Sequence, residues 1–468
     1  MTTASTEVSE VDSTARFPLS LLIAFAVLWL LVSGALAVAN LIQTFSPSFL
    51  ADCSVMTYGR VRGYAETTLV YGWVANSGFA VALWILGRLG GSPLRSLNWT
   101  VVGTFFWNVA LVVGLVGIAS GDGTSLPLLR MPRYVLPLLL VASGAISMPG
   151  VLAWTGRRHK VSFAAQWYAV AALFLFPWLF SAAQVMLGWL PVRGVLQAVA
   201  SGWFVQGAYS LWIAPIALAA GYYLVPKVTG RLIPTYDFAS LSFWTLLVVG
   251  PWTASRHLID GPVPAWIATL AIVAAALLVF HYIVTALNLR GAFGGGGTVL
   301  RFVGFGVLAY VIGGFSDAVT TLRGVAQITQ FTWVEAARTQ LFLLGAYSMI
   351  IFGAIYFIVP RITNQPWLST SLVRAHLASQ IIGVLVLVAG LLVAGIIQGQ
   401  GLADAALSFA DVANRVRPWL LIATAGQALL LVGNLAVAVH FFRLVFAKPT
   451  EQASALLREP SAMEASVS

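Results

Sequence analysis

The 468-residue chain is poor in cysteine, histidine and charge: it has one Cys, Cys53, five His, and only 9% Asp, Glu, Lys and Arg. A single cysteine excludes an internal disulfide and any Cys-x-x-Cys redox or zinc site. So few charges exclude an ordinary soluble domain, in which about 25% of residues are charged. The amino-terminal stretch MTTASTEVSEVDSTAR has no basic region ahead of an apolar core, so no cleavable signal is read there and the first apolar run reads as a retained anchor. The formal net charge of +10 is not a nucleic-acid signal, because Lys and Arg stand singly between apolar runs.

What the chain has instead is apolar length. It is 59% hydrophobic with a mean hydropathy of +0.90. At about 20 apolar residues per crossing, it divides into twelve membrane helices near 18–42, 66–88, 99–120, 134–154, 163–190, 202–225, 238–258, 265–288, 300–321, 336–359, 374–397 and 418–446. The expected fold is an all-α polytopic membrane protein. Residues 16–447 form its membrane domain, and residues 1–15 and 448–468 read as disordered cytoplasmic tails. Pro177 predicts a kink in the fifth helix. With the amino terminus inside, 15 Lys and Arg fall on the inner side and 10 on the outer. That bias predicts both termini in the cytoplasm, as for a bacterial inner-membrane protein, with lipid as the surrounding partner and no nucleic acid.

One stretch stands out, FTWVEAARTQLFLLGAYSMIIFGAIYFIVPRIT at 331–363. It spans apolar from Leu341 to Val359 and stops at Pro360-Arg361. Its mouth carries Glu335, Arg338 and Gln340, and charge there marks either a functional site or an arginine snorkelling to the interface.

That stretch, ending FGAIYFIVPR, is one of four that together resemble catalytic subunit I of the haem-copper oxidases, nearest the cbb3 type. The others are TYGRVRGYAETTLVYGWVANSGFAVALWILGRL (57–89), WFVQGAYSLWIAPIALAAGYYLVPKVTGRLIPTYDFASLSFW (203–244) and GPWTASRHLIDGPVPAW (250–266). AHLASQIIG (375–383) and AGIIQG (394–399) add to the likeness. The resemblance implies twelve helices, a low-spin and a high-spin haem b, a copper ion, and cytochrome c-type partner subunits in a respiratory chain. It also implies six histidine ligands, including a His-x-His pair on helix ten whose members, at about 100° per residue, face two haems.

Residue by residue, this chain departs from that pattern. The helix-two haem position holds Ala65, and the helix-ten positions hold Arg338 and Gln340. The copper positions hold Gln206, Arg256 and His257, and the tyrosine position holds Gly250. Alanine cannot ligate iron, arginine stays protonated, and an amide offers only a weak oxygen. No haem and no copper are therefore expected. Arg256 has Asp260 one turn on, Arg338 has Glu335 three residues back, and Asp317 and Arg323 lie in the preceding outer segment. Either these six residues form an arginine–carboxylate network in the former haem cavity, or they are separate interfacial charges.

Of the other histidines, His159 sits in the basic loop RRHK and reads as solvated. His281, His376 and His440 fall at similar depth in helices eight, eleven and twelve. They read as hydrogen-bonded packing groups, a proton relay or a relocated bis-histidine haem site. The loop GAFGGGG at 291–297 lacks the Lys-Ser/Thr of a phosphate loop and reads as a connector.

Three functions remain open. The first is a ligand-depleted subunit I-like member of a respiratory complex. The second is a working terminal oxidase or nitric oxide reductase with unusual haem ligands. The third is a transporter or sensor using the emptied cavity, in which arginines would favour anions.

Overall fold

The structure is a computed structural model describing residues 2–259, 261–295 and 297–446. Among the described residues eleven helices are long and apolar enough to cross a bilayer. They are α1 (Thr2–Phe45), α2 (Tyr58–Gly90), α3 (Leu97–Ser120), α4 (Leu136–Thr155), α5 (Ala164–Trp189) and α6 (Val195–Thr229), then α8 (Ala265–Leu289), α9 (Thr298–Thr320), α10 (Trp333–Thr363), α11 (Thr370–Ala403) and α12 (Phe409–Phe446). The seventh crossing differs from the others. α7 (Ala239–Val249) is α-helical and continues as a 3-10 helix, Gly250–Leu258, with Pro251 in its first turn. At about 1.5 Å and 2.0 Å rise per residue the two pieces together reach about 35 Å, enough to span.

The arrangement has two shells. The most apolar windows of α2, α6 and α10 are each 94% buried, against 39–50% for the other eight helices. These three therefore form an inner core, and the rest face lipid on one side. The fold follows from sequence through side-chain size: Trp73, Trp84, Trp107 and Trp212 are all fully buried and fill the space between helices.

Each inner helix also contains a widened π turn, at Thr68–Val74, Ala208–Ile213 and Leu341–Ser348. Such a turn displaces backbone carbonyls from their usual partners, and in lipid they must find others. Side chains supply them. Trp107 Nε1 donates to Tyr71 O at 2.7 Å, Asn76 Nδ2 to Gly72 O at 2.7 Å, and Tyr347 OH to Val74 O at 2.7 Å. Ser348 Oγ donates to Leu343 O at 2.7 Å and accepts from Trp73 Nε1 at 2.8 Å. The α2 and α10 turns are thus clasped to each other.

The amino-terminal tail expected over residues 1–15 is instead helical from Thr2. The apolar stripe of α1 runs back through Leu19 and Ala15 to Val11, all buried at spacings of four. Asp12, one residue on, is buried and accepts from Trp84 Nε1 at 2.9 Å and from Arg88 at 3.1 Å. The carboxyl-terminal tail 448–468 lies outside the described residues. α5 runs through Pro177 and ends in a π turn, Gln184–Trp189.

α11 and α12 make the most extensive helix pair. A Cβ on Gly426 would stand 2.5 Å from Leu387 N, and one on Gly390 would stand 2.8 Å from Ala423 N. Small residues here let two backbones touch, the main source of helix attraction in lipid. Gly426→Val is expected to cost about 1–3 kcal/mol or more through overpacking. Gly144→Val, where no atom lies within 4 Å, should change nothing. Thermal unfolding of the two purified variants in detergent checks the difference; equal midpoints would remove this account.

Candidate functional site

The polar residues at the mouth of α10 meet two other elements. Thr332 caps α10, accepting from Val334 N, and sets Glu335 and Arg338 on its first turns. The 3-10 end of the seventh crossing presents Arg256, and the last turn of α9 presents Asp317. Asp317 bridges both cations. Its Oδ2 is 2.5 Å from Arg256, and its Oδ1 contacts Arg338. Arg338 also holds Glu335 at 3.1 Å. Arg338 is 8% exposed, so it is an interior cation rather than a snorkelling one. Among the described residues, the ion pairs join two cations to two carboxylates.

Of the six network residues expected, the structure brings together Arg256, Asp317, Glu335 and Arg338. Asp260 lies outside the described residues. Arg323 is exposed at the start of a short surface helix, Arg323–Thr329.

Arg256, Asp317 and Arg338 of the cluster line a cavity of about 70 Å³, lined also by Gln206, Tyr209, Tyr282 and Tyr310. That volume accommodates a few waters at about 10–15 Å³ each. Two glycines set its walls. A Cβ on Gly250 would lie 2.5 Å from Ser210 Cβ, so α6 and the seventh crossing approach where a tyrosine was expected by resemblance. Gly314 likewise leaves room for the Tyr282 ring against α9. Tyr209, in the π turn of α6, packs edge-on to Phe342 at 5.1 Å.

The remaining positions scatter. His257 does not line the cavity; its carbonyl accepts from Gln330 Nε2 at 2.5 Å. Gln340 Oε1 is buried without a partner, as are Arg256 Nε and Arg338 Nε. Ala65 is half-buried on α2, beside Glu66, which sequence reasoning missed. Glu66 binds Arg130 at 3.1 Å and accepts from Leu128 N, while Tyr71 OH donates to Leu128 O at 2.5 Å. The loop before α4 is thereby fastened over α2. A glutamate in a membrane helix and an arginine in the loop after the next helix were the available signal. Among the described residues no three His, Cys, Asp or Glu side chains come together as metal ligands would.

His281, His376 and His440 do not form one group. His281 is fully buried with both ring nitrogens bonded, Nδ1 to Ser242 and Nε2 to Tyr310 OH, each at 2.9 Å. His376 and His440 share another cluster, with Tyr356 OH 2.9 Å from His376 Nδ1 and Trp367 stacked edge-on to His440 at 4.8 Å. His159 is exposed beside the Gly91 turn.

The sequence profile of the family described as Cytochrome C and Quinol oxidase polypeptide I matches residues 18–429. The chain belongs to that family. As a subunit I-family protein it is 23% identical to CcoN1, a cbb3-type cytochrome c oxidase subunit of Stutzerimonas stutzeri, over 91% of this chain and 94% of that one. It is also 23% identical to cytochrome c oxidase subunit 1 of Rhodobacter capsulatus, over 90% of this chain and 84% of that one. A heme-copper terminal oxidase solved by cryo-EM has the same fold, with a TM-score of 0.79 at 13% identity, covering 93% of this chain and 85% of that one. This is therefore a multi-pass membrane protein with a haem-copper oxidase subunit I fold.

If Asp317 holds the two guanidinium groups in place, Asp317→Asn should destabilise the protein by about 3–5 kcal/mol, the cost of an uncompensated buried charge. Adding Arg256→Gln should restore part of that loss, because the pair is coupled. Thermal unfolding of the single and double variants checks this; an Asp317→Asn protein as stable as wild type would show that the bridge carries little.

Proposed function

We propose that this chain is a ligand-depleted subunit I-like component of a respiratory complex, lying in a bacterial inner membrane with both termini cytoplasmic. On this reading it does not reduce oxygen by itself. The observation that carries the reading is the Arg256–Asp317–Arg338 bridge. It stands at two positions where the family resemblance places a copper ligand and a haem ligand. A guanidinium has no lone pair to give a metal and would repel one. Ala65 has no donor atom, Gln340 and Gln206 offer only amide oxygens, and His257 alone of the six positions keeps an imidazole, so the residues at these positions do not fit haem iron or a three-histidine copper site.

Two other readings are weaker. A working oxidase or nitric oxide reductase would need iron held without the helix-two and helix-ten imidazoles. An anion pathway loses its electrostatic motive, because Asp317 and Glu335 cancel Arg256 and Arg338. What remains is a retained scaffold, whose large lateral surfaces suit cytochrome-bearing or other respiratory subunits, the assemblies in which relatives of this family work.

The first measurement is a pyridine-haemochrome spectrum with metal analysis on the protein purified from its native membrane. The expected result is no stoichiometric haem b or copper on this chain and no oxygen uptake after reconstitution with both. Co-purifying haem c would identify a cytochrome c partner. Stoichiometric haem b, with oxygen or nitric oxide consumption, would sink the proposal.

A further inference from the structure

On the side of the membrane where α9 and α11 begin, an open groove of about 540 Å³ lies between these helices and the 3-10 turn Arg290–Phe293 that follows α8. Its volume is in the range of small-ligand sites, about 300–1,000 Å³. Phe293, Phe305, Leu377 and Ile381 make an apolar wall, and Arg301 and Arg374 stand on it with exposed side chains.

These two cations differ from others on the same side. Arg88 is bound to Asp12, Arg157 lies over the Trp154 ring at 4.9 Å and donates to Trp154 O, and Arg361 lies over Phe357 at 3.4 Å and donates to Phe357 O. Neither Arg301 nor Arg374 has an ion pair or ring contact among the described residues. No acidic residue lines the groove. The comparable open groove on the opposite side, by contrast, contains both Asp122 and Arg133 and can neutralise itself.

A site with two unpaired guanidinium groups above an apolar wall, at the level where membrane helices begin, is complementary to one class of molecule. We propose that it binds an anionic phospholipid. The phosphodiester is held by Arg301 and Arg374, and an acyl chain lies along Phe305, Leu377 and Ile381. Basic pockets between membrane helices recognise acidic headgroups in this way, each cation near the surface adding a severalfold preference.

The test is lipid retention by the full-length protein, measured by native mass spectrometry. Phosphatidylglycerol or phosphatidylcholine is titrated onto delipidated protein, with thermal unfolding in parallel. Wild type should keep phosphatidylglycerol over phosphatidylcholine, and Arg301→Gln/Arg374→Gln should lose that preference by on the order of tenfold. Arg301→Lys/Arg374→Lys should keep most of it. Arg16→Gln/Arg95→Gln, an equal loss of charge at exposed positions outside the groove, should leave it unchanged. Equal retention of the two lipids by wild type, or an equal loss in the Arg16/Arg95 variant, would overturn the proposal. Inorganic phosphate alone raising the melting point as much as phosphatidylglycerol would point to a soluble anion and overturn it too.

Discussion

A peptide group buried in lipid has no water to turn to, and the inner core of this protein is arranged around that constraint. α2, α6 and α10 each carry a π turn, which widens the helix and rotates the residues before it relative to those after. The carbonyls set free in α2 and α10 are claimed by Trp107, Asn76, Tyr347 and Ser348. Because Trp73 and Tyr347 reach across to the opposite helix, the repair of each backbone also locks the pair in register. The outer shell then packs on a core that cannot slide.

The same register places the charged cluster. The π turn Leu341–Ser348 begins immediately after Gln340, so the first two turns of α10 are oriented independently of the apolar span beyond. Arg338 can therefore turn inward to Asp317 while Tyr347 stays fixed against α2. A buried guanidinium without a carboxylate would be costly, and Asp317 spares two of them that cost at once.

Much of this was legible in the sequence. Eleven of the twelve apolar runs correspond to helices long and apolar enough to cross a bilayer, and the seventh run corresponds to the shorter α7 with its 3-10 extension. The Arg338–Glu335 pair followed from a spacing of three. Arg256 was different: spacing offered it only Asp260, which lies outside the described residues, and Asp317, which binds it, comes from another helix. Spacing reports neighbours along one helix and cannot report which helix lies opposite. The π turns were hidden for a similar reason, since TLVYGWV and LFLLGAYS read as ordinary apolar helix. Their signal was the polar groups nearby, Asn76, Trp107 and Ser348, whose partners lie across the bundle. The helical amino terminus was missed because Ser, Thr and Glu dominate its composition. The stripe Val11, Ala15, Leu19 outweighs that composition once α2 offers Trp84 and Arg88 to Asp12.

On the proposed reading, the residues at 250, 256 and 338 make physical sense only together. An arginine at 338 with no acid facing it would be an unpaired interior cation, and Asp317 with no arginine would be an unpaired anion. Gly250 removes the side chain that would meet Ser210, which lets the seventh crossing close on α6 and bring Arg256 within reach of Asp317. Gly314 does the same for the Tyr282 ring one turn before Asp317. On the proposed reading, each of these residues relieves strain that another would create, and together they stand in place of a ligand set. On the proposed reading, the interior is built to hold a fold rather than a metal. Any function must then lie on the surfaces that α2, α6 and α10 keep rigid from within.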